Sequence, residues 1–332
     1  MRKILLHIEE SNQSELMNML QNKSTDINKD LLNILSTNRK YQNIKINVDY
    51  GWDFIDQLVR NLSLSLVEVE VSCDIFLENL KIPLLTSLKL DNPIIEGLLT
   101  CSDKLVKIIA SVSGKELWQK RESPIALKNA LKVNTNLKIL HIDEVLTEGI
   151  FEKDLTCQLK NLNEISLKCL KSFDLKLYGN IRNFLNYQIN LEHLSIDYPD
   201  IFTVQWIYGN LNNLKSLKMK IHFEQNPRDL NLGVNTSIKK LDINITACWQ
   251  YSMNIKYALR NFITTSPNME IFSIPSSLEL DDFRFLLFNA KKLKKFVQNY
   301  DDCLNNYQEI HEQMKQDHEN ISEYVEFIRV SD

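Results

Sequence analysis

Two histidines in this chain lie close to aspartates in short segments of alternating apolar and polar residues, and such pairs could exchange protons or sense pH. His141 and Asp143 stand in "LHID", and His193 and Asp197 stand in "HLSID". The alternation predicts strands, and we expect the two histidines two strands apart, about 10 Å at ordinary strand spacing. That distance excludes a direct hydrogen bond between the rings, so we expect no catalysis there.

Other residues that could do chemistry give no stronger signal. His311 and His318, in "HEQMKQDHE", could hold a metal from one side of a helix, but we interpret this segment as a solvated helix surface. The six cysteines lack the spacing of a zinc site or a disulfide framework. The motifs of phosphate-binding loops, serine hydrolases and zinc proteases are absent. The sequence therefore predicts no catalytic residue, no cofactor and no metal site, and a protein that is not an enzyme.

Composition narrows the classes of partner and the compartment. The chain has 332 residues and a net charge of -4 without a basic stripe, which argues against nucleic acid as a partner. No run of about 18 apolar residues predicts a membrane span, so we expect no membrane partner. The start, "MRKILLHIEE", has too short an apolar core for a secretory signal. We therefore expect a cytoplasmic or nuclear protein with reduced thiols.

The elements that would position these residues come from one pattern, L-x-x-L-x-L, in which an anchor residue precedes a short strand. Neighbouring anchors lie roughly 19 to 32 residues apart, as in repeat proteins. "YQNIKI" at Tyr41 also fits, and "MRKILL" at Met1 fits loosely. The matches begin at Leu66, Leu85, Leu105, Leu137, Leu162, Leu191, Leu214, Ile238, Met269 and Leu293.

Segments between the strands have helical spacing of apolar residues. They are residues 52–62, 123–134, 253–263 and 280–290. In the second segment, Ser123 is a candidate N-cap and Pro124 a candidate first helical residue. Asparagines stand just before four anchors, at 136, 161, 190 and 213, and predict helix ends in the left-handed conformation. An ordinary α/β domain with coincidental leucines is the alternative, but in-phase matches and scarce glycine argue against it.

With these segments, nearly the whole chain resembles the leucine-rich repeat superfamily, and it is similar to the subgroup of ribonuclease inhibitors and F-box leucine-rich repeat proteins. The resemblance implies an α/β fold, a leucine-rich repeat solenoid curved into an arc. A parallel sheet would line its concave face and helices its convex face. The chain departs from the family where a turn asparagine or cysteine is expected, since Val145 and Pro93 occupy two of those places.

The stretch "LLNILSTNRKYQNIKINV" (31–48) resembles the exit from an F-box into a first repeat. An F-box itself is not evident before residue 31. It has been lost, or it lies upstream of Met1, or the resemblance is accidental.

These patterns divide the chain into a loose N-terminal unit or cap (1–40), a repeat array (41–300) and a C-terminal cap (301–332). The cap would be a polar helix followed by an apolar end. Trp118, in a long insertion, is a candidate loop contact. Residues between the leucines would face away from the core. The candidate partner-binding concave face consists of Glu68, Glu70, Lys89, Asp91, His141, Asp143, Lys168, His193, Asp197, Lys218, Lys220 and Lys240.

The expected function is a non-enzymatic protein–protein interaction scaffold with protein partners. By the resemblance alone, it would be the substrate-recognition part of an F-box-type (SCF) ubiquitin ligase with Skp1–cullin machinery as a partner. The alternative is a leucine-rich repeat regulator or inhibitor that binds an enzyme or small GTPase. An extracellular receptor fragment is disfavoured by the missing signal. A mixed-charge face that only keeps the sheet in solution is a further alternative.

Overall fold

The structure is a computed structural model, and its chain divides into two compact units, Met1–Leu162 and Asn163–Asp332. Each unit is described by itself. The structure describes residues 2–7, 41–47, 59–60, 63–71, 81–90, 102–111, 122–151, 155, 157–168, 175–223, 226–247, 255–274, 280–299 and 326–330.

The first unit is an α/β structure whose strands are all parallel and pair in chain order. Its strands are β1 (Arg2–His7), β2 (Tyr41–Asn47), β3 (Glu68–Val71), β4 (Ser87–Leu90), β5 (Lys107–Ala110) and β6 (Ile139–Ile142). Its helices are α1 (Glu122–Val133) and α2 (Glu144–Phe151).

The second unit follows the same plan, with parallel strands again paired in chain order. Its strands are β7 (Glu164–Leu167), β8 (His193–Asp197), β9 (Ser216–Phe223), β10 (Lys240–Ala247), β11 (Ile271–Ile274), β12 (Lys295–Asn299) and β13 (Glu326–Val330). Its helices are α3 (Leu175–Asn186), α4 (Ile201–Asn210), α5 (Ile255–Thr265) and α6 (Leu280–Asn289).

The anchors occupy equivalent places in consecutive strands, as the pattern predicted. We number each pattern from its anchor, which is position 1. The residue at position 3 pairs with the position-3 residue of the next strand, from Glu68 to Ser87 to Lys107 and again from His193 to Ser216 to Lys240. All ten anchors from Leu66 to Leu293 are buried, and burying a side chain of this size contributes about 1.5–3 kcal/mol.

One backbone arrangement repeats at the starts of β4–β6 and of β8–β12. The carbonyl at position 2 accepts hydrogen bonds from two successive N–H groups of the following strand. For example, Glu192 accepts from Lys215 and Ser216, and Lys215 accepts from Lys239 and Lys240. The same two-to-one bond joins Val67 to Thr86 and Ser87 in the first unit. This bond fixes the register before the ordinary strand pairing begins.

A second repeated feature is a tight turn just before the anchor. At most of the described anchors the N–H donates to the carbonyl three residues earlier, whereas the Leu105 N–H donates to Asn134 Oδ1. Leu137 bonds Asn134 in this way, and Leu191 bonds Gln188. The residue three positions before the anchor is buried in successive repeats, and it is often polar. Its occupants are Ile82, Ser102, Asn134, Leu159, Gln188, Leu211, Asn235, Ser266 and Ala290.

The buried polar side chains at this place satisfy backbone groups. The Asn134 carboxamide oxygen accepts from Leu105 N–H at 2.7 Å, and its nitrogen donates to the carbonyls of Ser102 and Ala130 at 3.3 and 2.9 Å. Ser102 Oγ donates to the Leu85 carbonyl at 2.9 Å. These contacts join neighbouring repeats, because partners 17 to 32 residues apart are bonded directly.

The expectation of left-handed asparagines before the anchors was wrong. Among the described residues other than glycine, only Tyr198 has a positive φ, 52°. The turn closes through its own backbone bond, so no left-handed residue is required. The exposed asparagines instead bond the preceding repeat. Asn161 Nδ2 donates to Asn136 Oδ1 at 3.2 Å, and Asn213 Nδ2 donates to the Ile189 carbonyl at 2.8 Å.

Several helices begin directly after a strand. Asp143 accepts from Leu146 N–H at 3.0 Å at the start of α2, and Asp200 accepts from Thr203 N–H at 2.7 Å at the start of α4. Such carboxylates satisfy N–H groups that have no partner within the helix. Val145, at the place of the family's turn residue, therefore lies in a helix.

The other helix predictions had mixed outcomes. Helix α1 begins at Glu122, so Ser123 lies inside it and does not precede it. Residues 253–263 and 280–290 form helices within two residues of the predicted bounds. Of residues 52–62, only Val59 and Arg60 are described, and both are helical. In its described residues, 226–239, the connection between β9 and β10 includes only a short 3-10 helix, Pro227–Asp229.

The helices pack through close apolar contacts. Gly149 of α2 faces Pro124 of α1 so closely that an added methyl carbon would lie 2.7 Å from the proline Cβ. In the second unit, the rings of Tyr208 and Phe262 lie 5.6 Å apart, and Phe283 meets Phe296 edge-on at 5.4 Å. These contacts join α4 to α5 and α6 to β12.

Of the two end strands, the pattern predicted β1 loosely and did not predict β13. Strand β1 lies at the loose first match, and β13 lies in the apolar end of the tail, where the pattern is lost. The predicted polar helix of the tail lies outside the described residues. β13 adds one more parallel strand beyond β12.

We predict that Asn134→Ala lowers the free energy of unfolding by about 1–3 kcal/mol, because the buried Leu105 N–H loses its acceptor. Asn136→Ala is the matched control, since the same residue type lies exposed two positions away and its loss should cost a few tenths of a kcal/mol. Urea denaturation measures both. Equal losses in the two variants would show that the buried turn position has no special role.

Candidate functional site

The outer face of each sheet is formed by positions 2, 3, 5 and 7 of the repeated pattern. Positions 4 and 6 are buried, while positions 3 and 5 are partly exposed in β4, β5, β6, β7 and β11. This alternation follows from the two-residue period of a strand. The described candidate residues lie on this outer face. Those at position 7 stand where the regular alternation of buried and exposed positions ends.

At the described outer-face positions of β3–β6, acidic and basic residues are equal in number. Lys89 Nζ lies 2.7 Å from Glu70 Oε1, and both occupy position 5 of adjacent strands. Glu68, at position 3, accepts a weak hydrogen bond from Ser87 at 3.5 Å. His141 stands opposite Ile109 of β5 in the register. Asp143 caps α2, so this predicted contact residue also has a structural role.

In the second unit, cross-strand ion pairs again join equal positions. Lys218 lies 3.4 Å from Asp242, both at position 5, and Lys220 lies 3.2 Å from Asp197, both at position 7. The Asp197 residue is buried, with a relative exposure of 7%. The register thus selects which charges meet, and opposite charges on directly opposed residues stabilise a sheet.

A row of charges at position 2 was missed by the sequence analysis. Glu192 accepts from Lys215 at 2.6 Å, and Glu270 lies 3.5 Å from Lys239 and 2.7 Å from Lys294. The hydrogen bond from Lys215 lowers the pKa of Glu192, and the bond and charge of Lys294 lower the pKa of Glu270. In the sequence, this row could be found only from the charged residue that directly follows the anchor. The L-x-x-L-x-L pattern allows any residue at that position.

The structure places His193 beside a glutamate. His193 is exposed at position 3, and its ring lies 4.0 Å from Glu192, while Asp197 is engaged by Lys220. Lys168 and Lys240 are exposed at positions 7 and 3. Asp91 and Trp118 lie outside the described residues, as do His311 and His318.

A constrained turn after β8 holds the end of the candidate face. Tyr198, with its positive φ, donates its N–H to the Lys220 carbonyl at 2.5 Å and accepts from the Tyr178 hydroxyl. Arg182 donates to Asp200 at 3.2 Å and to Thr203 at 2.8 Å. This turn fixes the position of Asp197 relative to Lys220. The sequence pattern did not predict this turn, although "DYPD" (197–200) contains two aspartates and a proline.

The described residues contain no group of three or more His, Cys, Asp or Glu side chains that could hold a metal ion. Burial raises the pKa of the Cys157 thiol to about 11, so it is protonated at neutral pH and a poor nucleophile. Within the searched part of the chain, the helices are too short or too polar to span a membrane. The described face offers charges and hydrogen-bonding groups for recognition.

Comparison with known proteins adds no family assignment. The chain matches no family model and no curated protein.

We predict that Lys294→Gln raises the pKa of Glu270 toward its ordinary value, because the variant removes the main hydrogen bond and charge that lower it. The lowered pKa means that the pair stabilises the fold above the ordinary glutamate pKa and loses this effect as the pH falls through the folded value. NMR titration of the Glu270 carboxyl carbon measures the change. In Lys292→Gln, which loses a bond to Asn268 instead, the pKa of Glu270 should stay in place; an equal shift would contradict the assignment.

Proposed function

We propose that this chain is a leucine-rich repeat solenoid that serves as a non-enzymatic scaffold, with the outer face of its sheet as the docking surface for a protein partner. One observation carries the proposal. In each unit the strands run parallel in unbroken chain order, with equal pattern positions paired, so variable residues form continuous rows on one face. Repeat proteins bind partners along such extended surfaces.

The polar character of the rows supports binding over catalysis. In the described part of the face, the charged residues form pairs between strands and are spread over many strands. An active site would instead concentrate groups with strongly shifted pKa values in one cleft. A wide, hydrogen-bonding surface suits an interface, in which a few anchors provide most of the binding energy.

We further propose, on the resemblance alone, that the partner is a client of an F-box-type ubiquitin ligase and that an N-terminal segment contacts the Skp1–cullin machinery. A regulator of an enzyme or small GTPase is the second candidate. The two candidate functions differ in the proteins that should co-purify with the chain. The ligase component would co-purify with Skp1 and a cullin, and the regulator would form a stoichiometric complex without them.

We predict that Lys218→Glu/Lys220→Glu loses a specific partner that the wild-type chain captures from cells, as measured by affinity purification and quantitative mass spectrometry. The matched control is Lys132→Glu/Lys176→Glu, which reverses two exposed charges on α1 and α3 and should retain the partner. Thermal unfolding of both variants checks the fold, since Lys218→Glu faces Asp242 and Lys220→Glu faces Asp197.

A milder variant, Lys218→Gln/Lys220→Gln, removes the charges without placing carboxylates together. A folded variant that keeps every captured protein at the wild-type level would contradict the proposed docking face.

A further inference from the structure

The outer face of β7–β12 carries an excess of positive charge that the described outer-face positions of β3–β6 do not have. At the described outer-face positions of β7–β12 there are eight lysines and five carboxylates, whereas β3–β6 have three of each. The whole chain has a net charge of -4, so this face is basic within an acidic protein. The lysines are Lys168, Lys215, Lys218, Lys220, Lys239, Lys240, Lys294 and Lys295.

The excess is concentrated on β9 and β10. These adjacent strands and the residues just before them present five of the lysines and a single carboxylate, Asp242. They are also longer than the neighbouring strands β8 and β11, and they pair over eight residues, from Ser216–Lys240 to Phe223–Ala247. We call this surface, with its lysines 215, 218, 220, 239 and 240, the lysine shelf.

The internal ion pairs leave the shelf able to bind a further anion. Four of its lysines each reach one carboxylate, at 2.6 to 3.5 Å, while their side chains remain 45–61% exposed. An ammonium group has three donors, so an exposed lysine that bonds one carboxylate can bond a second. Lys240 is exposed and makes no ion pair with the residues that the structure describes.

The far end of the shelf is polar but uncharged. His222 and Thr246 occupy the same pattern position on β9 and β10, and their side chains lie 2.9 Å apart. Asn244 precedes Thr246 by two residues and lies on the same face. These groups can hydrogen-bond a peptide backbone. The shelf therefore combines carboxylate-binding cations with hydrogen-bonding groups.

We propose that the lysine shelf binds an extended acidic segment of a partner protein, with Asp or Glu side chains of that segment on Lys218 and Lys240. This inference rests on the proposed docking function and adds the chemistry of the partner. Directly paired residues on neighbouring strands stand about 4.8 Å apart and residues two apart on one strand about 6.7 Å, so Lys218 and Lys240, which lie on a diagonal, are about 8 Å apart at the backbone. Carboxylates at alternate residues of an extended chain repeat at about 6.7 Å, and the long lysine side chains can span the difference.

A protein segment fits this surface better than a nucleic acid. Asp242 lies inside the shelf and Glu192 and Glu270 border it, so a continuous phosphate backbone would meet repelling carboxylates. A peptide can place neutral residues there. The described outer-face positions of β7–β12 carry no Phe, Tyr or Trp on which bases could stack.

Fluorescence anisotropy with the full chain tests the proposal, using a labelled twelve-residue peptide of alternating Glu and Ser. Peptides with Gln or Lys in place of Glu, and a twelve-nucleotide oligothymidine, are the comparison probes. We expect the Glu peptide to bind at least tenfold more tightly than the Gln peptide, and added salt to weaken it.

The variant Lys218→Gln/Lys240→Gln should weaken binding of the Glu peptide about tenfold, because two exposed charge contacts are lost. The control Lys132→Gln/Lys176→Gln should leave it unchanged. Reversal with Lys218→Glu/Lys240→Glu should shift the preference toward the Lys peptide, which a misfolded chain could not do.

Equal affinity for the Glu and Gln peptides, or an unchanged affinity in Lys218→Gln/Lys240→Gln, would overturn the proposal. Tighter binding of the oligonucleotide through the same lysines would also overturn it and indicate nucleic acid. The docking function can fail separately. If a cellular partner depends on Lys218 and Lys220 but no acidic peptide binds, the function stands and the acidic chemistry is wrong.

Discussion

The register between neighbouring parallel strands is the constraint on which the rest of this structure depends. At the starts of β4–β6 and of β8–β12, the carbonyl that follows the preceding anchor accepts two N–H groups and so sets the register. A slip of one residue would move every buried leucine to the outer face. Burial of the anchors and the two-to-one bond therefore favour the same alignment, and neither could persist without the other.

The charge pattern follows from the same constraint. Because equal positions meet, Glu70 reaches Lys89 and Asp242 reaches Lys218, and Glu270 lies between two lysines. Exposed pairs of this kind contribute little to stability individually. In the proposed docking function, they would hold charges in rows with regular spacing. A partner that binds such a face would be selected by how its own charges are spaced.

The sequence predicted the anchors, the alternation and the parallel α/β fold, because apolar residues recur at fixed spacings. It did not predict the buried place three residues before each anchor. Asn134 and Gln188 each donate from the side-chain amide to the carbonyl four residues earlier, whereas Ser266 bonds the Tyr208 hydroxyl. Leucine, isoleucine and alanine also occur at this place, so no single residue type marks it and a residue pattern could not reveal it. The strand β13 was not predicted for a related reason, since its segment lacks the anchor and the leucine spacing of the pattern.

The most direct test of the register is a cross-strand disulfide between β8 and β9. Ser195 pairs with Lys218, and adjacent strands lie about 4.8 Å apart, within the range that a disulfide spans. Ser195→Cys/Lys218→Cys should therefore form an intramolecular disulfide under mild oxidation, identified by peptide mass mapping. Ser195→Cys/Lys220→Cys, on the same face but about 8 Å apart, should not. A disulfide in the second pair and none in the first would contradict the account.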